Sequence, residues 1–177
     1  MFKKGENTNI IQQARIRKTK LFFEDRDTFM ELLEQDINKG IRQAAKLGLK
    51  PVFRLNGTSD LSWEKYGIIE KFPEVQFYDY TKVLGRKVAH LPNYHLTFSA
   101  ADGNDADVAK AIAQGMNVAM VFDKLPTEYA GRSVFNADDT DLRFLDPKGV
   151  ICGLKAKGRA KKDTSGFVRR VIDIKAV

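Results

Sequence analysis

The sequence predicts an α/β fold: a partial β/α barrel or a small open parallel sheet, with a short β-rich extension toward the C-terminal end. Three observations predict it. Apolar residues recur at helical spacing from Asp25 to Leu47. Strand-like segments follow at Val52–Asn56, Val75–Tyr80, Tyr94–Phe98 and Asn117–Phe122, each bounded by turn residues. Their spacing of about 20 residues, with helical or turn-rich stretches between, suits parallel strands joined by right-handed crossovers.

Taken in order, residues 1–20 form a polar, basic lead-in. Arg15, Arg17, Lys18 and Lys20 read either as a phosphate-contacting arm or as a solvated helix. In the helix after Asp25, Phe29, Leu32, Leu33, Ile37, Ile41, Ala44 and Ala45 share one side. Asp25 or Asp27 caps its start and Gly48 stops it. The first strand carries Phe53 and Leu55 on one side, Arg54 and Asn56 on the other. A short helix is expected from Ser62 to about Glu70, then a turn at Phe72-Pro73-Glu74. The aromatic strand VQFYDY ends in Asp79, Thr81 and Lys82. The strand from Tyr94 alternates Tyr94, Leu96 and Phe98 with His95, Thr97 and Ser99. A helix over Asp105–Gly115 precedes the fourth strand. Residues 21–125 thus hold the β/α repeats. In 126–177, short strands are expected at Leu142–Leu145, Val150–Leu154 and Phe167–Ile174, with a basic stretch from Lys155 to Lys162. The length of 177 residues suits one domain with a real core.

The formal net charge of +7 favours nucleic acid, nucleotides or acidic partners. No apolar run is long enough for a membrane span, and the N-terminus lacks the apolar stretch of a secretory signal. A single cysteine, Cys152, allows no intramolecular disulfide and no iron–sulfur cluster built from this chain alone. A reducing cytoplasmic setting is expected.

Candidate site residues gather at strand ends, where α/β folds place their sites. Polar side chains alternating along the strands give the sheet one polar face, either a ligand-holding concavity or a wet or subunit-covered face. Arg54, Asn56, Thr58, Ser59, Lys82 and Ser99 are the candidate ligand-binding residues. Asp60, Asp79 and His95 are the candidate acid–base groups, His95 because its ordinary pKa suits proton transfer. Asp60 reads equally as a helix N-cap and His95 as a hydrogen-bonded core residue. Lys155, Lys157, Arg159, Lys161 and Lys162 form the densest basic cluster, a nucleic-acid or phosphate grip or else a charged surface hairpin. Asp138, Asp139 and Asp141 lack the glycine and distal glutamate of a calcium loop and read as a solvated acidic turn; no metal ligands are assigned.

The segments RLNGTSDLSWE from Arg54, FPEVQFYDYTK from Phe72, PNYHLTFS from Pro92, NVAMVF from Asn117 and DLRFLDPKGVICGLKAKG from Asp141 are similar, in content and order, to the phage gene-product-eighty-eight-like proteins. The resemblance spans about residues 14 to 168. It implies an origin in a bacteriophage, prophage or plasmid and supplies no reaction. The pattern of strand, polar turn and later FYDYTK is also similar to radical-SAM-type partial barrels, whose cysteine-rich segment this chain lacks. The functional expectation is an accessory protein that binds nucleic acid or a nucleotide or phosphate ligand at the strand ends and basic segment. The alternatives are a metal- or cofactor-dependent enzyme remnant and a module that inhibits a host protein.

Overall fold

The computed structural model of the chain describes residues 6–171. By its contacts the chain divides into two compact units, Met1–Pro51 and Val52–Val177.

The first unit is a pair of helices, α1 (Glu6–Glu24) and α2 (Arg26–Lys46). The described part of the basic lead-in is therefore helical. Asp25 separates the two helices and caps the second, its side chain accepting from the Thr28 amide at 3.1 Å. Phe22 meets Phe29 edge-to-face across the junction and its neighbour Phe23 edge-to-face within α1. Gly48 ends α2 at φ 64°, a conformation glycine adopts without penalty.

The second unit is built on an open sheet. Its strands are β1 (Val52–Phe53), β2 (Gln76–Thr81), β3 (Tyr94–Ser99), β4 (Val118–Phe122), β5 (Glu128–Tyr129), β6 (Arg132–Asn136), β7 (Ile151–Lys155) and β8 (Val168–Arg169). They lie in the order β1-β2-β3-β4-β7-β6-β5, with β8 also paired to β4. Every pairing is parallel except β5 with β6. β3 pairs with β4 only through Phe98–Val118 and Ser99–Ala119, and β8 takes over from Val121. One helix, α3 (Asp105–Ala113), provides the β3–β4 crossover. Its Val108 and Ala111 pack on Phe98, Val118, Met120, Phe122 and Ile151 to form the main core. Phe98 and Phe122 are wholly buried, each contributing about 1.5–3 kcal/mol. The other sheet face is covered by the chain from Ala137 to Asp146, where Ala119, Ala137, Val150 and Cys152 form a smaller core. Phe144 packs on Tyr78 there, with ring centroids 5.8 Å apart.

The open sheet and the C-terminal strands agree with the predicted fold class. Three elements differ. The helix expected from Ser62 is a single 3-10 turn, Trp63–Lys65, followed by further turns. Gly67 at φ 69° breaks right-handed continuation, and Trp63, Ile68 and Ile69 bury themselves from an irregular path. The expected strand at Leu142–Leu145 is a 3-10 turn, Arg143–Leu145. That turn brings Arg143 and Asp146 to one side, 3.2 Å apart, whereas a strand would send residues three apart to opposite faces. The first strand leaves the ladder after Phe53, because the Asn56 amide turns to the Asp79 side chain. The unforeseen β5–β6 hairpin turns on Ala130 and Gly131 at φ 50° and 72°, the two positive values of a type I′ turn. Of the expected last strand, Val168–Arg169 is paired as β8, and positions 172–174 lie outside the described residues.

Candidate functional site

The parallel strands β1, β2 and β3 all end at one margin of the sheet, and the chain after β1 folds over that margin. A cavity of about 380 Å³ opens there. It is lined by Arg54, by the whole turn Asn56–Asp60, by Tyr80, Thr81 and Lys82 from the end of β2, and by Ser99 from the end of β3.

The turn is held by Asn56, which is buried although every other residue of the turn is exposed. Its Oδ1 accepts from Ser59 Oγ at 2.9 Å, the Leu61 amide at 2.9 Å and Trp63 Nε1 at 3.1 Å. Its Nδ2 donates to the Leu61 carbonyl at 3.0 Å. Its amide donates to Asp79 Oδ1 at 2.7 Å. A side chain bonded at four points fixes the turn's path and places Thr58 and Ser59 on the cavity wall, the Ser59 hydroxyl turned back to Asn56. Asp60 closes the other end of the turn, its Oδ2 accepting from the Lys82 amide at 2.6 Å.

Beneath this turn lies a buried charged network. Arg86, its side chain 3% exposed, donates to Glu64 at 2.5 and 3.0 Å and to Tyr94 Oη at 3.0 Å, and its Nη1 lies 3.5 Å from Asp60. Tyr94 in turn donates to Asp79 Oδ2 at 2.8 Å. Burial pushes the Asp79 carboxyl up to about 6, against the opposing pull of its bonds from Asn56 and Tyr94 and the charge of Arg86. Burial would raise Glu64 as well, but its hydrogen bonds from Arg86 win and hold it below the usual carboxylate range.

Of the residues singled out in the sequence, Arg54, Asn56, Thr58, Ser59, Asp60, Lys82 and Ser99 come together on the cavity wall. Asp79 stands behind that wall, both oxygens engaged. His95 lies on the same face of β3 as Ser99 but at the other end of the strand, away from the cavity, half-buried, with Nε2 3.2 Å from Thr97 Oγ1. Burial and the nearby Arg143 charge lower its pKa, with Asp146 pulling the other way. The three acid–base candidates therefore do not share one cavity. Lys155, the last residue of β7, and Lys157, Arg159, Lys161 and Lys162 beyond it lie at the same sheet margin as the cavity, all exposed, the last three on a 3-10 turn. Lys157 is paired to Asp138 at 2.6 Å. The acidic turn disperses: Asp138 to Lys157 and the Lys155 amide, Asp139 to Asn136, and Asp141 to Arg54, Tyr78 and Tyr80. Among the described residues no cluster of His, Cys, Asp and Glu could hold a metal ion. Cys152 is buried and donates to Asp146 Oδ2 at 3.2 Å, and burial pushes its thiol up to about 12.

Sequence reasoning missed the contributions of Arg86, Glu64, Tyr94 and Asp141. The alternation in VQFYDY carried a signal for Tyr78 and Tyr80 facing one way together. Nothing local marks Arg86, a loop arginine that becomes buried only through partners distant in the chain.

These features define an α/β protein with an open, mostly parallel sheet and a polar pocket at the carboxyl ends of its first three strands. The chain belongs to the phage protein family described as Gene product 88, which it matches over residues 2–171. Comparisons with curated proteins and with solved structures give no match. Among the described residues no helix is long and apolar enough to cross a membrane.

Proposed function

We propose that the protein binds a small phosphate-bearing ligand, a nucleotide or a comparable phosphorylated molecule, in the cavity at the ends of β1, β2 and β3. The carrying observation is the conjunction of a cavity of about 380 Å³ with two cationic residues, Arg54 and Lys82, and the hydroxyl-bearing Thr58 and Ser99 on its wall. That volume falls within the range of small-ligand clefts, about 300–1,000 Å³. Lys82 makes no ion pair among the described residues, so its ammonium is available to an incoming anion. The one carboxylate on the wall, Asp60, is occupied by the Lys82 amide and neutralised in part by Arg86.

Native mass spectrometry of the purified protein, before and after a high-salt wash, tests for a retained phosphorylated molecule. Calorimetric titration with adenosine monophosphate and with pyrophosphate then compares the wild type with Lys82→Ala. The expected loss is about tenfold in affinity, the scale of one charge-assisted contact. Equal affinities in the two proteins, or no binding at millimolar ligand, refute this reading.

A second reading is favoured by the exposed Arg159, Lys161 and Lys162 at the same sheet margin. A single-stranded nucleic acid crossing there would bind through its phosphates. Substituting all three residues by alanine should then lower the slope of log affinity against log salt by about 2. An unchanged slope for a fluorescent oligonucleotide would exclude a role for this segment.

A further inference from the structure

We infer, on the footing that the cavity is a ligand site, that Arg54, Tyr78 and Tyr80 form an anion subsite at its rim and that the Asp141 carboxylate fills this subsite in cis. Arg54 Nη1 and Tyr78 Oη donate to Asp141 Oδ2, each at 3.2 Å, and Tyr80 Oη donates to Oδ1 at 2.9 Å. The donors come from two neighbouring stretches of the sheet and converge on both oxygens of a single carboxylate. Their aim is fixed by packing. The Arg54 guanidinium lies 4.6 Å over the Tyr80 ring, and Tyr78 is 7% exposed with its ring against Phe144. Burial, reinforced by Asp141, raises both phenols and keeps them as donors at neutral pH.

Asp141 itself needs none of this. Its side chain is 57% exposed, and water would solvate it as well. It also sits at the exposed tip of a segment anchored on both sides without it. Asp138 holds the Lys155 amide before the tip, and the wholly buried Arg143 pairs with Asp146 after it. The Thr140 carbonyl accepts from the Arg143 guanidinium and the Asp141 carbonyl from the Arg143 amide at 2.9 Å, so the backbone of the tip stays in place and rotation of the Asp141 side chain toward solvent is what vacates the subsite. Arg54 and Tyr80 also line the cavity, so the subsite and the cavity are continuous, while Asp141 is not part of the cavity wall. The subsite fits the two-oxygen edge of a phosphate or carboxylate at one end of a ligand whose remainder reaches toward Ser59, Ser99 and Lys82.

The test compares wild type, Asp141→Ala and Asp139→Ala in calorimetric titrations with inorganic phosphate and with acetate. Asp139→Ala removes the same charge from the same tip without touching the three donors. Removing the stand-in carboxylate should tighten binding of at least one anion about tenfold, the scale of one or two charge-assisted hydrogen bonds. Asp139→Ala should leave affinity unchanged, and adding Arg54→Ala to Asp141→Ala should abolish the gain. A gain on phosphate identifies a phosphorylated ligand, and a gain on acetate alone a carboxylate. Emission of the single tryptophan, Trp63, checks that the pocket is intact, and Asp141→Asn replaces the alanine variant if it is not. Unchanged or weaker binding in the Asp141 variants, an equal gain in Asp139→Ala, or a gain that survives loss of Arg54 overturns the subsite. If the wild type still binds adenosine monophosphate in a Lys82-dependent way, the pocket stands although the subsite falls. If no variant binds any anion, both fall.

Discussion

Replacing Asn56 by alanine should destabilise the second unit by about 3–4 kcal/mol. The side chain makes four hydrogen bonds, three to its Oδ1 and one from its Nδ2. Exposed Ser59 recovers a partner from water, so its loss costs little. The two bonds with Leu61 are part-buried and are worth about 1 kcal/mol each. Trp63 is 3% exposed, and its indole N–H, deprived of an acceptor, adds a desolvation cost of about 1–2 kcal/mol. With a urea dependence of about 2 kcal/mol per molar, the unfolding midpoint should fall by about 1.5–2 M. Trp63 is the sole tryptophan and lies at the lesion, so its emission reports both the unfolding and the local change. Asn56→Asp keeps the acceptor but turns an oxygen on the Leu61 carbonyl and a charge toward Asp79, and should lose a comparable amount. A loss below about 1 kcal/mol in Asn56→Ala would refute the claim that this one side chain holds the turn.

Two further outcomes follow from the network under the pocket. Asp79 has its carboxyl raised from 3.8 to about 6 in the folded protein, so between these values the native state binds the proton more tightly than the unfolded chain does. Its contribution to stability is fully present below pH 4, falls as pH rises through about 6 and is level above, a change of at most about 3 kcal/mol. Asp79→Asn should remove that component from a plot of urea midpoint against pH, and superimposable wild-type and variant pH profiles would contradict it. Arg86→Met should cost about 3–5 kcal/mol by urea titration, because Glu64, its side chain 6% exposed, loses its hydrogen-bonded guanidinium. Adding Glu64→Gln should restore part of the loss; a double variant no more stable than the single one would show that the buried charge is not the cause.

Much of the sheet was legible because its signals are local. Alternating aromatic and polar residues from Val75 and Tyr94, and the apolar run from Asn117, announce strands wherever they stand. The pocket was legible for a similar reason: the polar turn after Arg54 and the short polar ends at Lys82 and Ser99 converge once the strands are parallel. What the sequence did not disclose depends on partners far along the chain. Asp79 reads as a free carboxylate until Tyr94 and the Asn56 amide arrive. His95 shares an alternation pattern with Ser99, yet the segment Ala137–Asp146 covers its part of the sheet and leaves Ser99 at the cavity. The 3-10 turns at Trp63 and Arg143 replace expected regular elements because a positive-φ glycine and a buried ion pair outweigh local propensity.

The two outermost strands of the sheet, β1 and β5, are only two residues long. A sheet built mainly from parallel pairings forms slowly, since its contacts join residues remote in sequence, and its margins stand open while it forms. Two-residue margins offer a neighbouring molecule too few unpaired amides and carbonyls to extend a ladder. Beyond β1 the margin of β2 meets the turn that follows β1 instead, the Asn56 amide on the Asp79 side chain and Asp60 on the Lys82 amide, so the same turn that walls the cavity also stands where a templating strand would have to dock.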